Sequence, residues 1–249
     1  MNALLPLAKV TQTIEQWLSD YLNQSGCKGF VIALSGGIDS SVTAVLCRRV
    51  TRNTRGLLLP CGETPADAAP DALLLAKQFD IETTTYDLTP VFNAFLTTLG
   101  VTEETADPIV VGNIKARLRM VTLYFEANLH QRLVVGTGNR TELALGYFTK
   151  YGDGGVDLLP LGNLLKREVR DLAEFHRIPD RIIQKPPTAG FFLEQTDEKE
   201  LGATYDQLDD FVSGVTPKGL SPARIEELHQ RLRANEHKIK LPPICPVHS

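Results

Sequence analysis

The sequence predicts an α/β fold, a doubly wound and mostly parallel sheet flanked by helices. Short apolar runs alternate with longer segments of helical period, the pattern of parallel βαβ units. Two apolar runs end in glycine turns, Ser35-Gly36-Gly37 and Gly136-Thr137-Gly138, where open α/β sheets place their ligands. Taking the elements in order, Val10, Ile14, Trp17, Leu18, Tyr21 and Leu22 recur at helical spacing and predict an opening amphipathic helix. Residues 30–34 read as a buried strand that feeds the first glycine turn and a helix over 41–47. A second buried strand covers 55–60, after which Thr64 caps a helix with Pro65 in its first turn and Asp67 three residues on. Residues 81–86 are threonine-rich and strand-like. Helices follow over 89–99 and 113–131, then a further strand over 132–137. Residues 139–163 are rich in glycine and aromatics and hold no period, as expected of functional loops. Helices are predicted at 164–176, 204–212 and 222–235, and the proline-rich tail at 241–246 is irregular.

A chain of 249 residues can bury a full core, and it reads as a single domain over 1–249. The net charge is −4, with no Lys/Arg block, which argues against a nucleic-acid partner. No window is apolar enough to span a membrane, and the N-terminus lacks a basic region followed by a long apolar core. The expectation is a soluble, cytoplasmic protein. Cys27, Cys47, Cys61 and Cys245 are scattered without a Cys-x-x-Cys pair and read as reduced thiols.

The run Ser35-Gly36-Gly37-Ile38-Asp39-Ser40 carries the strongest chemical signal. Glycines let the backbone turn tightly and approach a ligand, and the following helix offers unpartnered amides at its positive end. These features suit a phosphate. The loop has no lysine, so it is not the Gly-Lys-Ser/Thr phosphate loop; Asp39 stands where that lysine would be expected. A carboxylate beside phosphates requires an intervening cation, most simply Mg²⁺. Glu142, five residues beyond the strand end at Thr137, can reach the same space and share that ion. Lys166 and Arg167 fall in the first turn of a helix, where positive charge opposes the dipole. A phosphate-binding lysine is therefore favoured over a bystander.

In the long helix, Ile114, Leu118, Val121, Phe125 and Leu129 form one apolar stripe. Arg117 lies at its edge near Tyr124, whereas Arg119 points away. An arginine at that boundary either snorkels or pairs with an anion, and spacing leaves both open. His176 reads as structural, and His130, His237 and His248 show no metal-ligand spacing. The acidic run at 194–198 reads as a solvated loop by default. Residues 185–192, two prolines and then Phe191-Phe192, read as a rigid loop that closes over something flat.

The glycine turn resembles the pyrophosphate-binding loop of the N-type ATP pyrophosphatases. Within that superfamily the chain is similar to the ammonia-dependent NAD synthetases. The similarity rests on residues 113–120, on 135–142 continuing through 146–157, and on 185–190, 195–198 and 236–238, in the family's order. It extends over 10–243 and implies the adenine-nucleotide alpha-hydrolase-like fold. The resemblance assigns ATP to Ser35, Gly36, Gly37, Ile38, Asp39, Ser40, Thr137, Lys166 and Thr188. It assigns Mg²⁺ to Asp39 and Glu142, and deamido-NAD to Arg117, Lys150, Asp157, His237 and Lys238. Asp39, Lys166 and Asp153 would be the catalytic residues, Asp153 placing or deprotonating ammonia. The implied reaction is ATP-dependent amidation of deamido-NAD through an adenylated carboxylate, giving NAD, AMP and pyrophosphate. The family implies a homodimer with the dinucleotide site at the interface. No glutaminase domain is expected before residue 1, so free ammonia, or ammonia from a separate protein, is the expected donor. The chain departs from the family at Ile239, where an arginine is common, and at Glu194, where a glycine is frequent. Two alternatives stand beside this reading. One is a tRNA-modifying enzyme or stand-alone GMP synthetase subunit, disfavoured by the lack of paired cysteines and basic surface. The other is a non-catalytic nucleotide sensor, disfavoured by the joint presence of Asp39, Glu142 and Lys166.

Overall fold

The computed structural model describes residues 6–62, 66, 68–187 and 197–247. Helix α1 (Leu7–Ser25) leads into strand β1 (Gly29–Ala33), helix α2 (Ile38–Val50) and strand β2 (Thr54–Leu58). Helix α3 (Ala68–Gln78), strand β3 (Glu82–Thr85), helices α4 (Thr89–Leu99) and α5 (Pro108–His130) and strand β4 (Arg132–Val134) follow. Among the described residues these strands form one four-stranded sheet, all parallel, in the order β3-β2-β1-β4. The chain steps outward from β1 to β3, then returns to the far side of β1. That reversal opens a crevice at the carboxyl ends of β1 and β4.

Alternation along β1 divides the core into two layers, because successive side chains leave opposite faces of a strand. Phe30 and Ile32 pack with Leu18 of α1, Val42 and Leu46 of α2 and Leu75 of α3. Val31 on the other face packs with Phe92 and Leu96 of α4 and Leu123 and Ala127 of α5. Helices therefore cover both faces, as a parallel sheet requires. The second half adds α6 (Arg140–Leu145), α7 (Lys166–Phe175), α8 (Asp180–Ile183), α9 (Asp197–Leu201), α10 (Tyr205–Val212) and α11 (Pro222–Ile239). Leu145, Leu201, Tyr205, Leu208 and Leu228 gather there into a third cluster beside the crevice.

Several expectations are corrected. The long helix begins at Pro108, because Asp107 accepts from the amides of Ile109 and Val110 and Pro108 occupies the first turn. Its predicted apolar stripe is split: Ile114 and Leu118 are partly buried against the core, whereas Val121, Phe125 and Leu129 are 59, 59 and 60 % exposed. The buried residues of the helix are Val111, Gly112, Lys115, Ala116, Leu123, Glu126 and Ala127. On α1, Trp17 and Tyr21 likewise lie outside, against each other at 5.9 Å between ring centroids. The strand predicted over 132–137 ends at Val134, and Val135 continues it by a bridge to Leu158. The cap expected at Thr64, with Pro65 and Asp67, lies outside the described residues. Among the described residues no helix is long and apolar enough to cross a membrane.

Candidate active site

The glycine turn joins β1 to α2 through Gly36, whose φ of +76° lies in the left-handed region. A Cβ there would meet the Ala68 carbonyl at 2.4 Å, so only glycine is accommodated. The Gly37 amide donates to Ser35 Oγ at 3.2 Å, and Ser40 Oγ and Ser41 Oγ donate to the Gly37 carbonyl at 3.0 and 2.8 Å. The serines thus fix the turn. Gly37 is the N-cap of α2 and brings no side-chain cap, which leaves the helix amides open at the crevice.

Asp39, in the first turn of α2, meets residues from the second half of the chain. Lys166 Nζ donates to Asp39 Oδ2 at 2.5 Å and to Glu142 Oε1 at 3.1 Å. Asn139 Nδ2 donates to Asp39 Oδ1 at 2.9 Å. Asn139 is fully buried and also forms the capping box of α6, exchanging hydrogen bonds with Glu142 at 3.0 and 3.2 Å. One asparagine therefore orients both carboxylates. Lys166 itself is 3 % exposed and lies 4.7 Å from the centre of the Tyr205 ring. Its place at the start of α7 is stabilised by buried Asp209, which accepts from the amides of Lys166 and Arg167 at 3.2 and 2.9 Å.

The charges are mutually dependent. Burial, aided by the charge of Asp39, pushes Glu142 up to about 7 although Lys166 pulls it down. Burial alone would depress the Lys166 ammonium, but Asp39 and Glu142 outweigh it and hold it above its usual value. The two carboxylates converge on one cation and are short of positive charge, a donor set that suits Mg²⁺. That ion commonly takes one or two carboxylates and completes its shell with phosphate oxygens and water. Among the described residues no group of three His, Cys, Asp or Glu is arranged to hold a metal, so the remaining ligands would come from substrate and solvent.

A second group gathers between the loop after α6 and the end of α11. Exposed Arg117 Nη2 donates to the Lys150 carbonyl at 3.3 Å, and Lys150 Nζ donates to the His237 carbonyl at 2.6 Å. A cleft of about 550 Å³ opens there, lined by Lys150, Tyr151, Arg233 and His237 among others. Lys238 turns inward instead, donating to the carbonyls of Gly146 and Phe148 at 2.7 and 3.1 Å. Asp157 is also engaged by protein, accepting from Tyr124 Oη at 2.9 Å and the Val134 amide at 2.8 Å. Asp153 Oδ1 accepts from the Thr149 amide at 2.8 Å. Arg119 faces β2, its Nε donating to the Leu59 carbonyl at 3.1 Å. Thr137 is half-buried just beyond β4, while Thr188, Glu194 and the aromatics Phe191 and Phe192 lie outside the described residues.

Sequence reasoning missed four members of this region. Asn139 was legible, since Asn139-x-x-Glu142 is a capping box. Tyr205 and Asp209 reach the site only because α10 packs against α6 and α7. Asp197 contradicts the expectation of a solvated acidic loop: it is 4 % exposed and accepts from the hydroxyls of Tyr147 and Tyr205 at 3.1 and 2.9 Å. His176 takes the structural place expected of it, 3.1 Å from Thr11 Oγ1.

Comparison with known proteins bears on what this site does. A family model described as NAD synthase matches residues 10–242. The NH(3)-dependent NAD(+) synthetase of Methanosarcina mazei is 40 % identical, the match covering 96 % of this chain and 98 % of that one. Its counterpart from Thermococcus kodakarensis is 41 % identical over 93 % of this chain and 94 % of its own. Among solved structures, the NMN synthetase from Francisella tularensis superposes with a TM-score of 0.91 at 38 % identity, covering 97 % of this chain and 99 % of that one. The NH3-dependent NAD synthetase from Campylobacter jejuni gives 0.78 at 30 % identity, covering 97 % and 100 %. The chain belongs to the NAD synthase family, and it is a ligase that forms a carbon–nitrogen bond.

Proposed function

We propose that this chain amidates the nicotinate carboxylate of deamido-NAD with ammonia at the expense of ATP, the reaction of its family. The observation that carries the reading is the meeting of Asp39, Glu142 and Lys166 in front of the open amides of α2. A carboxylate is a poor electrophile and must be activated. Its oxygen attacks the α-phosphorus of ATP, the bond to the bridging oxygen breaks, and pyrophosphate leaves. The amides at the start of α2 and the Lys166 ammonium receive the charge that accumulates on that leaving group. Ammonia then attacks the acyl carbon, loses a proton, and expels AMP to leave the amide. Asp39 and Glu142 would hold Mg²⁺, which supplies charge neutralisation at the phosphates. Arg117, Lys150 and His237 are read as the acceptor-binding group, with Thr137 and Thr188 on ATP and Asp153 beside ammonia. Lys238 and Asp157 act on the acceptor in this reading only by re-aiming from their present protein contacts.

The assembly proposed is a homodimer. Val121, Phe125 and Leu129, spaced along one side of α5, are large apolar side chains each more than half exposed, and Phe95 and Leu99 on α4 are exposed as well. A patch of that kind is characteristic of a protein interface. A cytoplasmic location and a single catalytic unit, with ammonia as nitrogen donor, complete the reading. The decisive assay is pyrophosphate release that requires ATP, ammonium and deamido-NAD together; release without the dinucleotide would overturn it.

One observation favours a second acceptor. The backbone agrees more closely with the Francisella tularensis NMN synthetase than with the Campylobacter jejuni NAD synthetase, at TM-scores of 0.91 and 0.78. The same carboxylate on nicotinic acid mononucleotide would require no change in the ATP half of the site. Comparing kcat/KM for the mononucleotide and the dinucleotide under one set of conditions separates the two readings.

A further inference from the structure

The acidic residue that the family reaction leaves without a task is Asp197. It is 4 % exposed, so its carboxylate is removed from water, and it faces the same cluster as Asp39 and Glu142. Packing alone would favour an apolar side chain there, since an added buried carboxylate is costly beside two others. Its surroundings show what it secures. Asp197 Oδ2 lies 2.9 Å from Tyr205 Oη, and that hydroxyl lies 3.2 Å from Glu142 Oε1. The Tyr205 ring, 2 % exposed, in turn lies beneath the Lys166 ammonium at 4.7 Å. Asp197 Oδ1 accepts from Tyr147 Oη at 3.1 Å, and the Asp197 amide donates to the Pro187 carbonyl at 3.1 Å.

We propose that Asp197 is a positioning residue for the ATP site, acting through Tyr205 on Glu142 and Lys166 and through its amide on Pro187. The inference rests on the reading of that cluster as the place where ATP binds. A phenol has one hydrogen, and its donation to Asp197 fixes the rotation of the hydroxyl and the plane of the ring. The ring then sets where the Lys166 ammonium sits, and Asp197 and Glu142, at 2.9 and 3.2 Å, share the one hydroxyl as acceptors, so the position of Glu142 depends on Asp197. The bond to Pro187 ties the end of the preceding described segment to the residue that holds Tyr205.

The experiment uses the full chain with Asp197→Asn and Tyr205→Phe, both close in shape to the originals. Each variant is expected to melt near the wild type without nucleotide, and to lose most of the upward shift that Mg²⁺ with ATP produces. In steady-state assays the KM for ATP and the half-saturating Mg²⁺ concentration should rise about 10-fold, while the KM for the dinucleotide changes less than about 2-fold. Variants that keep the wild-type response to ATP would overturn the proposal, as would ATP and dinucleotide KM values rising in parallel. Should Asp197→Asn fail to fold, Tyr205→Phe alone decides, because it removes only the hydroxyl. A wild type that Mg²⁺ with ATP does not stabilise at all would overturn the ATP reading and this inference with it.

Discussion

Lys166 is 3 % exposed, grips two carboxylates, sits on an aromatic ring and has its own amide held by Asp209. Lys150, beside a second cleft, donates to a backbone carbonyl of α11 and lies 5.4 Å from the centre of the Tyr151 ring, with no carboxylate partner among its hydrogen bonds to described residues. In the proposed scheme both lysines take part, yet they are built to different standards. Around Lys166 one subunit supplies every partner, and the geometry exists before substrate arrives, which is the condition for electrostatic stabilisation of a departing phosphate. Around Lys150, itself half-buried, Tyr151, Arg233 and His237 are exposed and line an open cleft. The contrast teaches that the Asp39–Glu142–Lys166 cluster is preorganised within the fold, whereas the surroundings of Lys150 are more open.

The sharpest way to break this comparison is Asp39→Ala. It removes the carboxylate shared by Lys166 and Asn139, and kcat should fall about 10³-fold with folding nearly intact by circular dichroism. Near-normal turnover would mean the preorganised end is not the chemical end. A smaller effect is expected from Phe125→Asp, which places a charge in the exposed apolar face of α5. Sedimentation should show dissociation to monomers, with acceptor binding weakened about 100-fold and ATP binding retained. If ATP binding falls equally, the two ends do not differ in their dependence on assembly. Lys150→Ala should raise the acceptor KM about 10-fold, roughly 1.4 kcal/mol, and leave the KM for ATP within about 2-fold.

The smallest effect concerns pH. Burial holds Glu142 up to about 7, above its ordinary 4.5. The folded protein therefore keeps a proton there that the unfolded chain has already released. The stabilisation from that proton is complete below the unfolded value and is lost as pH rises toward 7. Cation binding has the opposite sign, since it needs the carboxylate. The half-saturating Mg²⁺ concentration should fall several-fold between about pH 6 and 8, and Glu142→Gln should flatten that dependence.

Local rules made much of the molecule legible. Strand β1 and the turn after it follow from an apolar run and two glycines, and α4 matches its predicted span over 89–99. Asp39 and Lys166 stood out because each breaks a local expectation, an acid where a lysine is usual and a cation at a positive helix end, and Glu142 because it follows a strand end closely enough to reach Asp39. The orientation of α5 was not legible. Helical period identifies an apolar stripe but not what covers it, and here Val111, Leu123 and Ala127 pack with Val31, Leu57 and Val134 of the sheet. Asp197 was misread for a related reason, since an acidic run looks solvated until distant tyrosines are brought against it.

By itself the chain order determined the α/β class, the phosphate-facing turn and the identities of the charged groups, because backbone strain, period and helix polarity act over a few residues. Only the tertiary structure decided that Asn139, Tyr205 and Asp209 orient those charges and that Val121, Phe125 and Leu129 face outward. Those outcomes depend on contacts between segments far apart in the chain, such as the 127 residues separating Lys166 from Asp39. Burial and desolvation, which set the strength of every charge in the site, exist only once the layers have closed.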